Sequence, residues 1–163
     1  MIRIKKYLSL VVFAHTIFAM PFALIGFFLA TRYSGFPFHW DLLISVILCM
    51  VWARNAAMGF NRWADRHFDQ ENPRTVGREI PSGQISGKAA LVFSIVNAIL
   101  FIATAASINR LCLYLSPVAL AVVLGYSLTK RFTWLCHLIL GLGLSLAPIG
   151  AYIAAAGRFD WIP

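Results

Sequence analysis

The sequence predicts an all-α, polytopic membrane bundle, because it is strongly apolar, poor in charged residues and divided into runs of bilayer length. Of its 163 residues, 60% are hydrophobic and only 12% are charged, and the mean hydropathy is +0.77. Soluble domains carry about 25% charged residues and about half apolar ones. The composition therefore excludes a disordered chain, a coiled coil and a disulfide-rich secreted module. A single transmembrane domain, residues 1–163, accounts for the length.

Five apolar runs have the length of a membrane-spanning helix, for which about 20 residues are needed. The first run, with its basic start from Met1 to Lys6, has the pattern of a signal peptide. It is nevertheless long enough to span the membrane, and no small-x-small cleavage site precedes Thr31, so we expect that it is not cleaved. The fifth is interrupted by Pro148. The predicted spans cover about residues 9–30, 41–60, 88–108, 111–129 and 133–156.

The connections between these runs predict the orientation of the chain. The stretch 61–87 is polar and long, whereas Asn109-Arg110 and Lys130-Arg131 are short turns. Ten Lys and Arg residues fall on the side of the N-terminus and of the stretch 61–87, against three on the other side. The positive-inside rule then places the N-terminus and this loop in the cytoplasm, in a multi-pass protein of the inner membrane. The net charge of +8 is explained in this way, and we expect no nucleic-acid partner.

Three oxygen-bearing side chains recur every four residues where the polar stretch begins: Asn61, Asp65 and Asp69. On a helix they stack along one face, and Arg54, seven residues earlier, lies on nearly the same face. Amide and carboxylate oxygens suit Mg²⁺ together with substrate phosphates, and arginines add forked donors for phosphate oxygens. The stripe therefore indicates a magnesium–diphosphate site. A solvated helix end whose acids pair with neighbouring arginines is the alternative interpretation.

Several ordered motifs resemble those of one known family. The run from Arg54 to Asp69 resembles the first aspartate-rich signature, N-x-x-x-D-x-x-x-D, of the UbiA family of intramembrane aromatic prenyltransferases. The segment from Arg78 to Ser86 is similar to the R-x-x-P-S-G-x-(I/V)-S segment of that family. Further similar segments are Tyr126 to Thr133, matching Y-x-x-x-K-R-(F/W)-T, Leu140 to Leu142 and Ala147 to Gly150 in the fifth helix, and His15 to Ala23, which resembles 4-hydroxybenzoate polyprenyltransferases.

The resemblance implies a reaction, a cofactor and a set of ligands. Family members are bundles of about nine helices that bind a polyprenyl diphosphate through magnesium and attach the chain to an aromatic ring. We therefore expect transfer to 4-hydroxybenzoate or a naphthoate in ubiquinone or menaquinone biosynthesis, with substrates that enter from membrane lipid. The implied catalytic metal ligands are Asn61, Asp65 and Asp69, and the implied diphosphate contacts are Arg54, Arg78, Tyr126, Lys130 and Arg131.

Spacing adds an independent argument for two of the diphosphate contacts. Tyr126 and Lys130 lie four residues apart at the end of the fourth predicted span, so they share a helix face. A basic pair at a span end is also a common topology anchor, and this is the alternative for Lys130 and Arg131.

The family pattern includes a second aspartate-rich motif, which these residues lack. After Asp69 the acids are Glu71, Glu79 and Asp160, and no D-x-x-x-D follows. We therefore expect about the first half of such an enzyme, inactive by itself and dependent on a missing C-terminal half. A small membrane protein that binds or transports cations without catalysis is the rival function, although no acid lies deep inside a predicted span, where ion pathways place them.

Overall fold

Five helices make up the part of the chain that the structure describes, and no strand occurs in it. This computed structural model describes residues 7, 9–11 and 13–161, with the side chains of 13–19 left out. The all-α prediction is confirmed. The basic start Met1 to Lys6, Pro163 and the side chains of His15 to Ala19 lie outside the described residues. The helices are α1 (Phe13–Tyr33), α2 (Trp40–Glu71), α3 (Gly87–Ile108), α4 (Arg110–Thr129) and α5 (Cys136–Ala156).

Four of the helices, α2 to α5, are long and apolar enough to cross a membrane. In α1 the apolar run whose side chains the structure describes, Met20–Tyr33, is shorter than a span. Large apolar side chains on α3, among them Val92, Ile95 and Ile99, are half or more exposed, as expected for a surface that faces lipid. The chain is thus a multi-pass membrane protein.

Helix α2 extends well beyond the predicted second span, which ends near residue 60. It continues to Glu71, because neither Gly nor Pro interrupts the segment after Gly59 until Pro73. Asn72 has extended backbone angles, φ −101° and ψ 119°, as expected for a residue before proline. The first part of the stretch predicted as a loop is therefore a helical extension, and only residues 72–86 connect α2 to α3.

Small residues let the helices approach closely in two places. A Cβ added to Gly26 in α1 would lie 2.1 Å from the backbone oxygen of Pro148 in α5. A Cβ added to Gly59 in α2 would lie 3.1 Å from Phe93 in α3. These contacts fix α1 against α5 and α2 against α3.

A buried polar ladder also joins α2 to α3. The hydroxyl of Ser94 donates to the backbone oxygen of Ala56 over 2.7 Å, and the side-chain amide of Asn55 donates to Asn97 over 3.1 Å. Inter-helix hydrogen bonds of this kind hold membrane helices in register. The register in turn fixes which face of α2 points toward α4.

The two ends of the bundle carry different connections. At one end, the hydroxyl of the fully buried Tyr152 lies 2.7 Å from Ser34, and the amide of Asn109 donates to Ile153 over 3.3 Å. At the other end lie residues 72–86 and 130–135, beside the extension of α2. That second end brings the predicted site residues together.

Candidate active site

Lys130 holds the first two members of the stripe on one cation. Its ammonium group donates to the Oδ1 atom of Asn61 over 2.7 Å and forms an ion pair and hydrogen bond with the Oδ2 atom of Asp65. Lys130 is the residue that ends α4, so the pairing joins the ends of α2 and α4. The two oxygens thus converge on a single positive charge.

Arg131 adds a second link between the same two ends. Its Nη2 atom donates to the backbone oxygen of Ala64 over 2.6 Å and lies 3.6 Å from the Oδ1 atom of Asp65. The guanidinium carbon stands 5.1 Å from the centre of the Phe68 ring, within cation–π distance. Asp65 therefore has a cation at each of its two oxygens.

Asp69 is the most buried member of the stripe, with 6% of its surface exposed. Its Oδ1 atom accepts a hydrogen bond from Nη1 of Arg78 over 2.8 Å. Its Oδ2 atom is buried and has no hydrogen-bond partner among the described residues. The hydroxyl of Thr75 donates to the backbone oxygen of Asp69 over 3.1 Å, so the 72–86 connection folds back onto the end of α2.

The buried acid Glu79 was not singled out as a site residue from the sequence, and Arg62 was included only among the arginines that could donate to phosphate. Glu79 is 8% exposed, and its Oε1 atom accepts a hydrogen bond from Ser9. The second oxygen of Glu79 and the Nε atom of Arg62 are buried without a partner in the described part of the chain. Sequence spacing could not have predicted the pairing of Glu79 with Ser9, because the two residues are 70 positions apart.

Two predicted diphosphate contacts stand apart from this network. Arg54 is half-buried in α2, and its Nε atom has no hydrogen-bond partner within the described ranges. Tyr126 lies one turn before the end of α4, and its backbone oxygen accepts hydrogen bonds from Thr129 and Lys130. Neither side chain pairs with the acids of the stripe.

The charges of the whole cluster favour an anion. Three carboxylates face four basic groups, so one positive charge is in excess. The acids are Asp65, Asp69 and Glu79, and the bases are Arg62, Arg78, Lys130 and Arg131. Such a cluster can hold a divalent cation on its acids and an anionic group on its arginines and lysine at the same time.

A helical membrane bundle with this acid–amide stripe at one end of α2 is the arrangement expected of an intramembrane prenyltransferase. The UbiA prenyltransferase family matches residues 19–163, and the chain belongs to that family.

Several relatives carry a functional name. The 4-hydroxybenzoate octaprenyltransferase of Aliivibrio fischeri (strain MJ11) is 35% identical over 125 residues, which are 77% of this chain and 43% of the relative. The same enzyme of Aliivibrio salmonicida (strain LFI1238) is 36% identical over 126 residues, 77% of this chain and 44% of the relative. The chain thus spans less than half the length of the curated relatives it matches.

Solved structures share the fold. A UbiA homolog from Aeropyrum pernix K1, in its apo form, is 37% identical with a TM-score of 0.81, over 88% of this chain and 51% of that one. A UbiA homolog from Archaeoglobus fulgidus bound to GPP and Mg²⁺ is 22% identical with a TM-score of 0.68, over 93% of this chain and 53% of that one. The second likeness concerns the fold alone.

Proposed function

We propose that this chain forms the first aspartate-rich face of a magnesium-dependent site that transfers a polyprenyl group from a diphosphate to an aromatic acid. One observation carries the proposal: the oxygens of Asn61 and Asp65 converge on one cation, the ammonium group of Lys130. The acceptor class is 4-hydroxybenzoate or a naphthoate, in ubiquinone or menaquinone biosynthesis. The names of the Aliivibrio relatives support the first of these acceptors.

The donor types of Asn61, Asp65 and Asp69 suit Mg²⁺. Asn61 and Asp65 already share a cation, and the Oδ2 atom of Asp69 is buried with no partner from the described residues. An amide and two carboxylates that leave room for phosphate oxygens are a donor set that Mg²⁺ prefers. When bound, Mg²⁺ would neutralise charge on the diphosphate and make it a better leaving group.

The basic residues are proposed to hold the diphosphate itself. Lys130 and Arg131 lie at the edge of the acid stripe and can exchange Asp65 for phosphate oxygens, which carry more charge. Arg54 has a buried Nε atom without a described partner, and Arg78 can divide its donors between Asp69 and a phosphate. Tyr126, one turn before Lys130, offers a hydroxyl donor.

The reaction needs an environment that excludes water. The bond between the allylic carbon and the diphosphate oxygen breaks, and its electron pair leaves with the diphosphate. A ring carbon of the aromatic acid then forms the new bond and loses its proton. Apolar helices around the site protect the allylic cation from water during this interval.

We test the proposal with Asp65→Asn in the complete gene product, in membranes supplied with a prenyl diphosphate, an aromatic acid and Mg²⁺. Loss of a charge-stabilising group typically costs about 10²–10³ in rate, so we expect at least a hundredfold loss of product. Asp41→Asn is the matched control, because Asp41 is exposed in the first turn of the same helix. Full activity of Asp65→Asn would refute the proposal.

The rival function, cation binding or transport without catalysis, is favoured by the same convergence on Lys130. The position of the acids argues against it, since they lie in the final turns of α2 rather than deep inside a span. Mg²⁺ binding by membranes that form no prenylated product under any of these conditions would favour the rival.

The orientation and the missing half complete the proposal. The N-terminus and residues 72–86 are placed in the cytoplasm, in the inner membrane, on the charge bias of the sequence. A second acidic face is needed to complete the diphosphate site, and we propose that a C-terminal half like that of the longer relatives supplies it.

A further inference from the structure

A pocket that is open to solvent lies on another face of the α2 extension. It has a volume of about 540 Å³ and is formed by the end of α2, the 72–86 connection and the start of α3. Trp63, Arg66 and His67 contribute its α2 wall. At 100° per residue these side chains point away from the face that carries Asp65. The pocket is therefore distinct from the acid stripe.

The lining of this pocket is basic. Arg66, His67 and Lys88 all contribute to it, and none of the described residues that line it is Asp or Glu. Two permanent positive charges therefore face one cavity without a compensating acid. Because like charges gathered in a concave site repel one another, an anion in the cavity would be stabilised.

Arg66 is held in place rather than free in solvent. Its guanidinium carbon stands 4.8 Å from the centre of the Trp63 ring, and its Nη1 atom donates to the backbone oxygen of Trp63 over 2.7 Å. Gly87 lies beside the side chain of this arginine, since an added Cβ would be 3.4 Å from the Cδ atom of Arg66. An arginine fixed in this way loses little conformational entropy when it binds an anion.

The start of α3 supplements these side chains. Ser86 caps the helix by accepting from the amide of Ala89 over 3.1 Å. The amides of Gly87 and Lys88 have no acceptor within an α-helix because of their position in its first turn. Both residues line the same pocket, and the helix dipole adds positive potential there.

We propose that this pocket binds a phosphate group, separately from the acid stripe and independently of prenyl transfer. The chemistry of the site is that of a guanidinium, an ammonium and helix-start amides, which together suit a phosphate mono- or diester. Two sources share this chemistry: the headgroup of an anionic phospholipid in the adjoining leaflet, and free phosphate. The apolar side chains of Ile80 and Ile85 in the same lining favour the phospholipid.

The test measures retained ligand by native mass spectrometry of the full chain released from detergent. The chain is exchanged into phosphatidylglycerol, into phosphatidylcholine or into inorganic phosphate, each in a separate arm. We compare wild type with Lys88→Gln and Arg66→Gln, and with Arg74→Gln as the matched control. Arg74 is an exposed arginine of the same connection that does not line the pocket. Elution of each variant as a single species by size exclusion establishes that it is folded.

Each outcome decides one point. A phospholipid site is supported if wild type and Arg74→Gln retain phosphatidylglycerol in the presence of millimolar phosphate. In that case the retention should be at least fivefold lower in Lys88→Gln and Arg66→Gln. A phosphate site with a soluble source is supported if wild type retains inorganic phosphate and the Lys88 and Arg66 variants lose it in the same way. The two lipids should then be retained equally. Equal retention by folded wild type and both pocket variants in every arm overturns the proposal. If Lys88→Gln alone fails to fold, Lys88→Arg and Arg66→Gln carry the comparison.

Discussion

Removal of the Lys130 ammonium group is expected to change the affinities for Mg²⁺ and for diphosphate in opposite directions. Lys130 holds the oxygens of Asn61 and Asp65 that we assign to the metal. A bare Mg²⁺ ion must therefore displace this ammonium group or share the oxygens with it. A diphosphate, by contrast, gains from the same positive charge. Lys130→Met separates the two effects because it keeps most of the side-chain length.

The magnitude follows from the exposure of the pair. The side chains of Lys130 and Asp65 are 26% and 14% exposed, so an effective dielectric constant near 20 is appropriate. Two unit charges 4 Å apart then interact by about 4 kcal/mol. The substitution keeps Arg131, which lies 3.6 Å from Asp65, and its charge offsets part of this change. We therefore expect at least a tenfold lower Kd for Mg²⁺, which corresponds to about 1.4 kcal/mol.

The assay is calorimetric titration of the purified complete gene product in nanodiscs, first with Mg²⁺ alone and then with a prenyl diphosphate in the presence of Mg²⁺. In Lys130→Met we expect tighter binding of Mg²⁺ and at least tenfold weaker binding of the diphosphate. Arg74→Met removes one positive charge outside both the stripe and the basic pocket, since Arg74 is exposed and does not line that pocket, and it should leave both affinities close to wild type. Unchanged or weaker Mg²⁺ binding in Lys130→Met would show that Lys130 does not compete for the metal ligands.

Three further outcomes are expected. Gly26→Ala should lower the thermal unfolding temperature in detergent, because the new Cβ would meet the Pro148 oxygen at 2.1 Å and overpacking costs about 1–3 kcal/mol; Gly141→Ala, with nothing within 4 Å, should not. Cysteine placed at Val76 in a cysteine-free background should react only from the cytoplasmic side, whereas cysteine at Arg110 should react only from outside. The 163 residues assayed alone should give no prenyl transfer, because they supply acids from one flank; turnover by a purified monomer would contradict this.

The sequence was sufficient to predict the helices because membrane helices are defined by local apolar runs. The predicted spans and the turn at Asn109 agree with α3, α4 and α5 to within a few residues. The end of α2 was harder, since hydropathy falls after residue 60 while helix propensity does not. The four-residue spacing of Asn61, Asp65 and Asp69 favours a helix there, and periodicity was the better guide than polarity.

The partners of the site residues could be predicted only in part. Spacing placed Lys130 at the end of the fourth span, but it gave no indication that the ammonium group would meet Asn61 and Asp65. That contact depends on how α4 packs beside α2, which is a property of tertiary structure. The pair of Glu79 and Ser9 is a similar case, because its members belong to distant segments that local patterns do not connect.

The buried atoms that lack partners are concentrated beside the proposed site. Within the described residues they belong to Arg54, Arg62, Asp69, Glu79 and Ser127. Native proteins pair nearly all of their buried polar groups, so each exception calls for an explanation. Four of these five lie on α2 or on the connection that folds back onto it, and Ser127 lies beside Tyr126 on α4.

A cluster of unpaired donors and acceptors of both signs is what a site for a metal–diphosphate complex requires, since the ligand itself carries both kinds of charge. Elsewhere in the cluster the acids and bases are paired, Asp65 with Lys130 and Asp69 with Arg78. These ion pairs hold the side chains in position in the absence of such a ligand. Such an arrangement would favour exchange of partners over a permanently satisfied ion network, and this supports the proposed site over the solvated helix end that the sequence also allowed.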